Sequence, residues 1–297
     1  RELLYADVAE LYYQVLAYQG MLEVLARTES TLNLRIKELK EFIALGKSRD
    51  SEVIAASADL ADNETLRART KGLLDASLEL LAFLTGVPSA ELSLAPLTGG
   101  GASRQSRLVA VSTLDSYLVR AKDRYDLKAA QALVESQSVQ VTATERQRWP
   151  DVSLKGNAYP IEDPDRNRQW ELLVQLSLPI FEGGRIKAET AEAQARRRAY
   201  EFSQTELARQ SERDIRLYFS NVQSLIAEQV SLQKLKLAAE KEYQAQREDY
   251  QLGVVTNLEV LTAIQQVQNA ERRILESEAG LRAAAAKLEV AAGGGDQ

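Results

Sequence analysis

Apolar residues recur at three- and four-residue steps along most of this chain, and the places where that rhythm fails divide it. Leu25, Leu32, Ile36, Leu39 and Ile43 keep helical spacing through a first stretch, Arg1 to Leu45, that carries one glycine and no proline. Gly46 predicts its end. After the polar run Lys47-Ser48-Arg49-Asp50-Ser51, the pattern predicts a second helix from Val53 to Leu84, with Ser51 as its cap and Glu52 as a first-turn acid. It stops at Gly86-Val87-Pro88. Residues 87–106 include two prolines and the run Gly99-Gly100-Gly101, which reads as a linker, and a third helix is predicted over 107–148.

The rhythm then changes from helical to alternating. From Asp151 to Tyr159, Val152, Leu154, Gly156 and Ala158 alternate with polar residues and Tyr159. Trp170, Leu172, Val174, Leu176 and Leu178 do the same against Glu171, Gln175 and Ser177, with Leu173 the exception. A polar connector, 161–169, joins them, so one β-hairpin is predicted, closed by Pro179 and Gly183-Gly184. Each run suits the length of a tilted membrane-barrel strand, about 9 to 11 residues, and a soluble ribbon covering helix ends stays open as the other reading. If partner strands are lacking, the hairpin is expected to be displaced or disordered.

From Arg185 to Tyr250 there are 66 residues with no glycine or proline. Unbroken, they make a helix of about 100 Å. Ile215, Tyr218, Val222, Leu225, Gln229 and Leu232 form a heptad seam, and Phe219, Ile226, Val230 and Leu237 add a second stripe, so the helix needs neighbours on two sides.

The N-terminal third recurs at the C-terminus. Gly46, Glu52-Val53 and Gly86 reappear as Gly253, Glu259-Val260 and Gly293, each 207 positions later, and Leu11-Tyr12-Tyr13 matches Leu217-Tyr218-Phe219 to within one residue. The chain therefore reads as a duplicated helical hairpin. Counterparts of the third helix and the strand pair would precede Arg1, so about 100 upstream residues of the repeat pattern are expected to be absent.

Composition narrows the function. With 37 Lys and Arg against 43 Asp and Glu the net charge is −6, which argues against nucleic acid as a partner. There is no His and no Cys, which excludes His-dependent triads, thiol nucleophiles, Cys/His zinc sites and disulfides. No apolar run is long enough for a transmembrane helix. Gly46-Lys47-Ser48 imitates the end of a phosphate loop but lacks the earlier glycine and strand. Asn63-Glu64-Thr65 fits a glycosylation sequon in mid-helix, where chance explains it better. Arg196-Arg197-Arg198 reads first as solvated helix surface. Glu52 and Glu259 stand at the two reversals of the duplicated hairpins, and residue type alone leaves a helix-start acid and a ring of carboxylates around an oligomer axis equally open.

Four stretches together carry a family resemblance. Leu178-Pro179-Ile180-Phe181-Glu182-Gly183-Gly184-Arg185 resembles the strand-to-helix signature of the TolC family of outer-membrane efflux channels. The run from Asp249-Tyr250-Gln251-Leu252-Gly253 to Leu261 resembles its periplasmic turn, and Asp123-Arg124-Tyr125-Asp126 the start of its helix leading to the second strand pair. Leu84-Thr85-Gly86 is similar to the close of its first hairpin.

The resemblance implies a mainly α fold of long antiparallel helical hairpins with one β-hairpin belonging to an outer-membrane barrel. It divides the chain into periplasmic helices 1–150 (tip near 46–52), a barrel hairpin 151–183, and periplasmic helices 184–297 (tip near 250–259). It further implies a homotrimer in the outer membrane of a Gram-negative bacterium, mostly periplasmic, docked to an adaptor and an inner-membrane pump. Such a duct passively exports drugs, metals or polypeptides, with no reaction and no cofactor. A soluble periplasmic coiled-coil scaffold or adaptor is the alternative. On the residues that match, Glu52, Glu259, Tyr250 and Thr262 belong to the gate, and Gly46, Ser51, Gly253 and Thr256 to the docking tips. Trp170, Leu172, Val174 and Leu176 face lipid. Val255 stands where some members have a gate arginine, so that latch is expected to be absent, and Thr262 replaces a second acid.

Overall fold

The computed structural model describes residues 2–92, 112–158 and 170–294. The glycine run 99–101, the start of the predicted third helix and the connector 161–169 lie outside them. The chain forms two compact units, Arg1–Arg120 with Arg213–Gln297, and Ala121–Glu212.

In the first unit, α1 (Glu2–Ala44) reverses into α2 (Asp50–Thr85), and the later part of α5 (Arg185–Gln251) reverses into α6 (Asn257–Ala291). The internal repeat is visible in the backbone. Lys47 N–H donates to the Phe42 carbonyl at 2.8 Å and Gly46 N–H to Ile43 at 2.9 Å; Val254 and Gly253 make the same pair of bonds to Asp249 and Tyr250 at 2.9 and 3.0 Å. Both turns therefore satisfy the last helical carbonyls in the same way, and each needs a left-handed residue, Gly46 at φ 71 and Gly253 at φ 76. The helices that follow are matched in length, 36 and 35 residues.

The predicted seams are buried in part, while Ile36, Ile43, Tyr218, Leu225 and Gln229 are half-buried. Leu25, Leu32 and Leu39 are at most 3 % exposed, as are Ile215, Val222 and Leu232 on α5. Near the tips Leu32, Leu39, Ala56, Val260, Leu261 and Ile264 share one core, with Tyr243 and Tyr250 packed against it. Further along, Ala17, Met21, Val24, Leu275 and Ala279 form another. Here Gly20 lets α1 approach α6 so closely that a Cβ would lie 3.0 Å from Leu275. The second stripe of α5 differs, since Val230 and Leu237 are exposed. Between α2 and α6, polar groups take over: Gln268 donates to Asn63, itself donating to the Leu25 carbonyl, and Gln265 donates to Asp59. Asn63 is thus buried and engaged, which removes the sequon reading. A short helix, α3 (Leu114–Ala121), is held by Tyr117 and Arg120, which reach the two carboxylate oxygens of Glu289 at 3.1 and 2.6 Å.

Two expectations about helix limits are corrected. The predicted third helix is not continuous, because α3 ends at Ala121 and α4 (Tyr125–Arg146) starts after a turn. Arg124 there is extended, at φ −56 and ψ 139, and pairs with Asp126 at 2.6 Å. Nor is Ser51 a cap. Helix α2 begins at Asp50 with Arg49 in the cap position and no side-chain cap bond.

In the second unit, β1 (Asp151–Ala158) and β2 (Trp170–Ser177) pair antiparallel, from Asp151 opposite Ser177 to Ala158 opposite Trp170. The ladder is regular over these described strands, so of the expected displacement or disorder the strands themselves do not show disorder. Its register puts Val152, Leu154, Gly156, Ala158, Trp170, Leu172, Val174 and Leu176 on one face. Helix α5, 67 residues long, starts after Gly183 and Gly184, as its lack of breakers predicts. Arg196 and Arg197 pair with Glu192 and Glu201 one turn away, a solvated helix surface.

Candidate functional site

The duplicated tips begin from the same backbone but carry different chemistry. At the second tip Thr256 caps α6 in a capping box: its side chain accepts from the Glu259 N–H, its own N–H donates to the Glu259 carboxylate at 3.0 Å, and its hydroxyl contacts the same carboxylate. These bonds, the Thr256 hydroxyl first, hold the Glu259 carboxyl below its usual range. The equivalent of Thr256 at the first tip is Arg49, which cannot accept a bond from the helix start. Glu52 is therefore free of capping and turns elsewhere. It accepts from Ser48 at 2.8 Å and from the Tyr250 hydroxyl at 2.6 Å, linking the first hairpin to the second. The two acids, equal in sequence, thus divide the two roles between them: Glu259 caps its own helix and Glu52 joins the hairpins.

Tyr250 is half-buried, and its hydroxyl is pushed above the ordinary tyrosine range by burial and then by the Glu52 carboxylate it serves. Phe42 lies against its ring at 6.1 Å. On the ring's face sits the Arg35 guanidinium, 3.8 Å from the centroid. Arg35 is 4 % exposed; its Nε donates to Asn257 Oδ1 at 3.0 Å and its Nη1 to Glu38 at 3.2 Å. Arg247 takes the other Glu38 oxygen at 3.0 Å, and Asn257 donates onward to the Glu52 carbonyl at 3.2 Å. The structure therefore brings Glu52 and Tyr250 together and sets Glu259 apart in its cap. Thr262 is exposed on α6, Gly46, Gly253 and Thr256 lie exposed at the two turns, and Ser51 is exposed in the first turn of α2 rather than in the reversal itself.

Arg35, Glu38, Arg247 and Asn257 were missed in the sequence, although one signal existed. Met21, Thr28 and Arg35 step by seven along α1 and are all buried, so Arg35 occupies a seam position. Leu45, Leu252, Val254 and Leu258, all at least 67 % exposed, were missed as well; Leu45 and Leu252 are repeat equivalents just before the two glycines. The Gly46-Lys47-Ser48 run forms the helix reversal, and its serine serves Glu52, so it is not a phosphate loop.

On the hairpin, Val152, Leu154, Trp170, Leu172, Val174 and Leu176 are 60 to 72 % exposed on one face. The other face pairs Ser153 with Gln175 and Asn157 with Glu171, and Lys155 donates to Gln175 at 3.2 Å. Leu173 interrupts it. Trp149, Ile180 and Phe181 flank the strands and are at least 72 % exposed.

Solved structures share this fold. The outer-membrane channel OprN aligns with a TM-score of 0.83 at 19% identity, over 99% of this chain and 66% of its own. VceC, an outer membrane protein of Vibrio cholerae, gives 0.80 at 21% identity, over 100% and 71%. CusC gives 0.84 at 18%, over 99% and 68%. In sequence, the chain is 24% identical over 298 residues to the multidrug resistance outer membrane protein MdtP of Shigella flexneri, and equally to that of Escherichia coli K12 over 299. It spans 60% of the length of these curated relatives. The model of the outer membrane efflux protein family matches residues 120–294, more than half of the chain, and the chain belongs to that family.

Proposed function

We propose that the intact protein is the outer-membrane exit duct of a tripartite efflux or type I secretion system, a homotrimer that exports its cargo passively and performs no reaction. The observation that carries this reading is the hairpin's continuous apolar face, six large side chains each at least 60 % exposed. Water disfavours such a face by about 25 cal/mol per Å² of apolar surface, while a bilayer accepts it. Among the described residues no further strand pairs with either outer edge of the two-stranded sheet, which leaves both edges for the neighbours that closure into a barrel requires. In this reading Trp170, Leu172, Val174 and Leu176 face lipid, and Glu171 and Gln175 face the lumen. Trp149 and Phe181 lie at the membrane interface.

The helices then stand in the periplasm, and the exposed second stripe of α5 meets a neighbouring protomer. The tips close the duct at rest through Tyr250 and Glu52, with Glu259 and Thr262 at the constriction. An adaptor grips the turns at Gly46, Ser51, Gly253 and Thr256, where Leu45, Leu252, Val254 and Leu258 offer apolar contact, and the adaptor links the duct to an inner-membrane pump. The cargo class, drugs, metals or polypeptides, follows the pump.

Reconstitution of the intact protein in planar bilayers tests this directly. The expected result is a small, stable conductance at rest that rises when Tyr250→Phe removes the bond to Glu52. A protein that stays in water without detergent and forms no conductance is instead the scaffold of the alternative reading. Single cysteines at 172 and 174, in a chain that has none of its own, should resist water-soluble thiol reagents in membranes.

A further inference from the structure

We infer that Arg35, buried on α1, is the residue that positions the Tyr250 ring. This rests on the duct reading and deepens it. Four observations carry it. Arg35 is buried, and a buried guanidinium must find compensation for its lost water. Its ion partner Glu38 lies three residues along the same helix and is shared with Arg247, so it gives Arg35 little reason to hold one orientation. Among the described residues the Nη2 atom has no hydrogen-bond partner. The face of Tyr250, 3.8 Å away, supplies the remaining compensation.

The geometry closes a ring through four helices. Arg35 on α1 stacks on Tyr250 of α5 and donates to Asn257 of α6; Asn257 donates to the backbone of Glu52 on α2, whose carboxylate accepts from Tyr250. Each residue therefore restrains the next. A tyrosine in the last turn of a helix can swing, and a hydroxyl that swings loses a 2.6 Å bond. The planar guanidinium is a platform that fixes the ring plane, while a lysine at the same place would keep the charge and lose the platform. Arg35 thus touches neither cargo nor adaptor; it acts through Tyr250.

The test is a double-mutant cycle on the intact protein in planar bilayers, with Arg35→Lys, Tyr250→Phe and the pair, reading the open fraction at rest. Helix content and thermal midpoint are measured beside it. Arg35→Lys is expected to raise the open fraction several-fold, within about a factor of two of Tyr250→Phe, and the pair is expected to do no more than the larger single change. A second readout is ¹⁹F NMR of fluorotyrosine placed at position 250, whose resonance should shift and broaden in Arg35→Lys as the ring is released.

If Arg35→Lys conducts as wild type does, or if the two effects multiply, the positioning role is wrong and the duct reading survives. If Arg35→Lys opens the channel while Tyr250→Phe does not, Arg35 works by another route and the inference falls alone. If neither wild type nor any variant conducts, both fall together. Should Arg35→Lys fail to fold, Tyr250→Leu against Tyr250→Phe decides: loss of the platform's partner should also release the Arg35–Asn257 bond, and a Tyr250→Leu channel no leakier than Tyr250→Phe counts against the inference.

Discussion

Replacing Asn63 by alanine tests how the two hairpins are held in register. Asn63 is 3 % exposed, donates to the Leu25 carbonyl at 3.0 Å and accepts from Gln268 at 2.9 Å, with Gln268 itself 9 % exposed. Truncation leaves the Gln268 amide without an acceptor in a site closed to water. An unmet buried partner costs about 1–3 kcal/mol, and the lost Leu25 bond adds about 1, so Asn63→Ala should destabilise by about 2–4 kcal/mol. Replacing both partners by leucine removes both needs at once and should come within about 1 kcal/mol of wild type, because two apolar groups of similar volume replace a satisfied polar pair. The assay is urea unfolding of the intact protein in detergent, followed by helix content. With a slope of about 3 kcal/mol per molar, Asn63→Ala should lower the midpoint by about 1 M and the double leucine variant by less than a third of that. An Asn63→Ala midpoint within a quarter molar of wild type, or single leucine effects that simply add, would refute the reasoning.

Other expectations follow from particular contacts. Burial alone would raise the Glu271 carboxyl, but hydrogen bonds from Lys236 at 2.9 Å and Arg27 at 3.0 Å outweigh it and hold it below the usual range. Its contribution is thus fully present above the unfolded carboxylate value and is lost as pH falls through the lower folded one, so Glu271→Gln should flatten the acid limb of a stability-versus-pH curve. Gly253→Val, at φ 76, should destabilise the second tip by more than about 1 kcal/mol and raise proteolysis there, whereas Gly72→Ala in mid-α2 should be neutral or stabilising by about 0.5–1 kcal/mol. Gly20→Val should separate α1 from α6 at Leu275 and lower the thermal midpoint by several degrees. Val174→Lys should cost about 2–4 kcal/mol of membrane stability if the residue sits at mid-bilayer, and nothing if the face meets water; refolding into vesicles measures it.

What the sequence made legible is what local chemistry decides. Gly46 and Gly253 mark reversals because only glycine takes their backbone angles easily, and the 66-residue span without breakers became one helix for the same reason. The alternation of 152, 154, 172, 174 and 176 gave the apolar strand face. The turn between α3 and α4 was invisible to periodicity, since Lys122-Asp123-Arg124 contains no breaker; an Arg124–Asp126 pair forms there instead. Family resemblance did place a helix start at Asp123-Arg124-Tyr125. The two acids looked equivalent because a repeat aligns residue types, while the exchange of Thr256 for Arg49 that separates their roles acts through cap geometry. Arg35 escaped notice because a charged side chain is usually assigned to the surface; only its heptad phase behind Met21 and Thr28 marked it.

The matched turns limit how these helices can vary in length. Each residue added to α5 turns everything after it by about 100° and advances it by 1.5 Å, so one insertion near Leu225 would swing Tyr243 and Tyr250 out of the core they share with Leu32 and Leu39. Seven added residues would restore the azimuth to within about 20°, yet carry Gly253 about 10 Å beyond Gly46 and separate Tyr250 from Glu52. Insertions and deletions are therefore tolerated only in phase and in concert, as whole heptads entered together in α1, α2, α5 and α6. In this protein, length is a joint property of four helices, and a natural variant with a longer α5 alone would have to rebuild its latch from different residues.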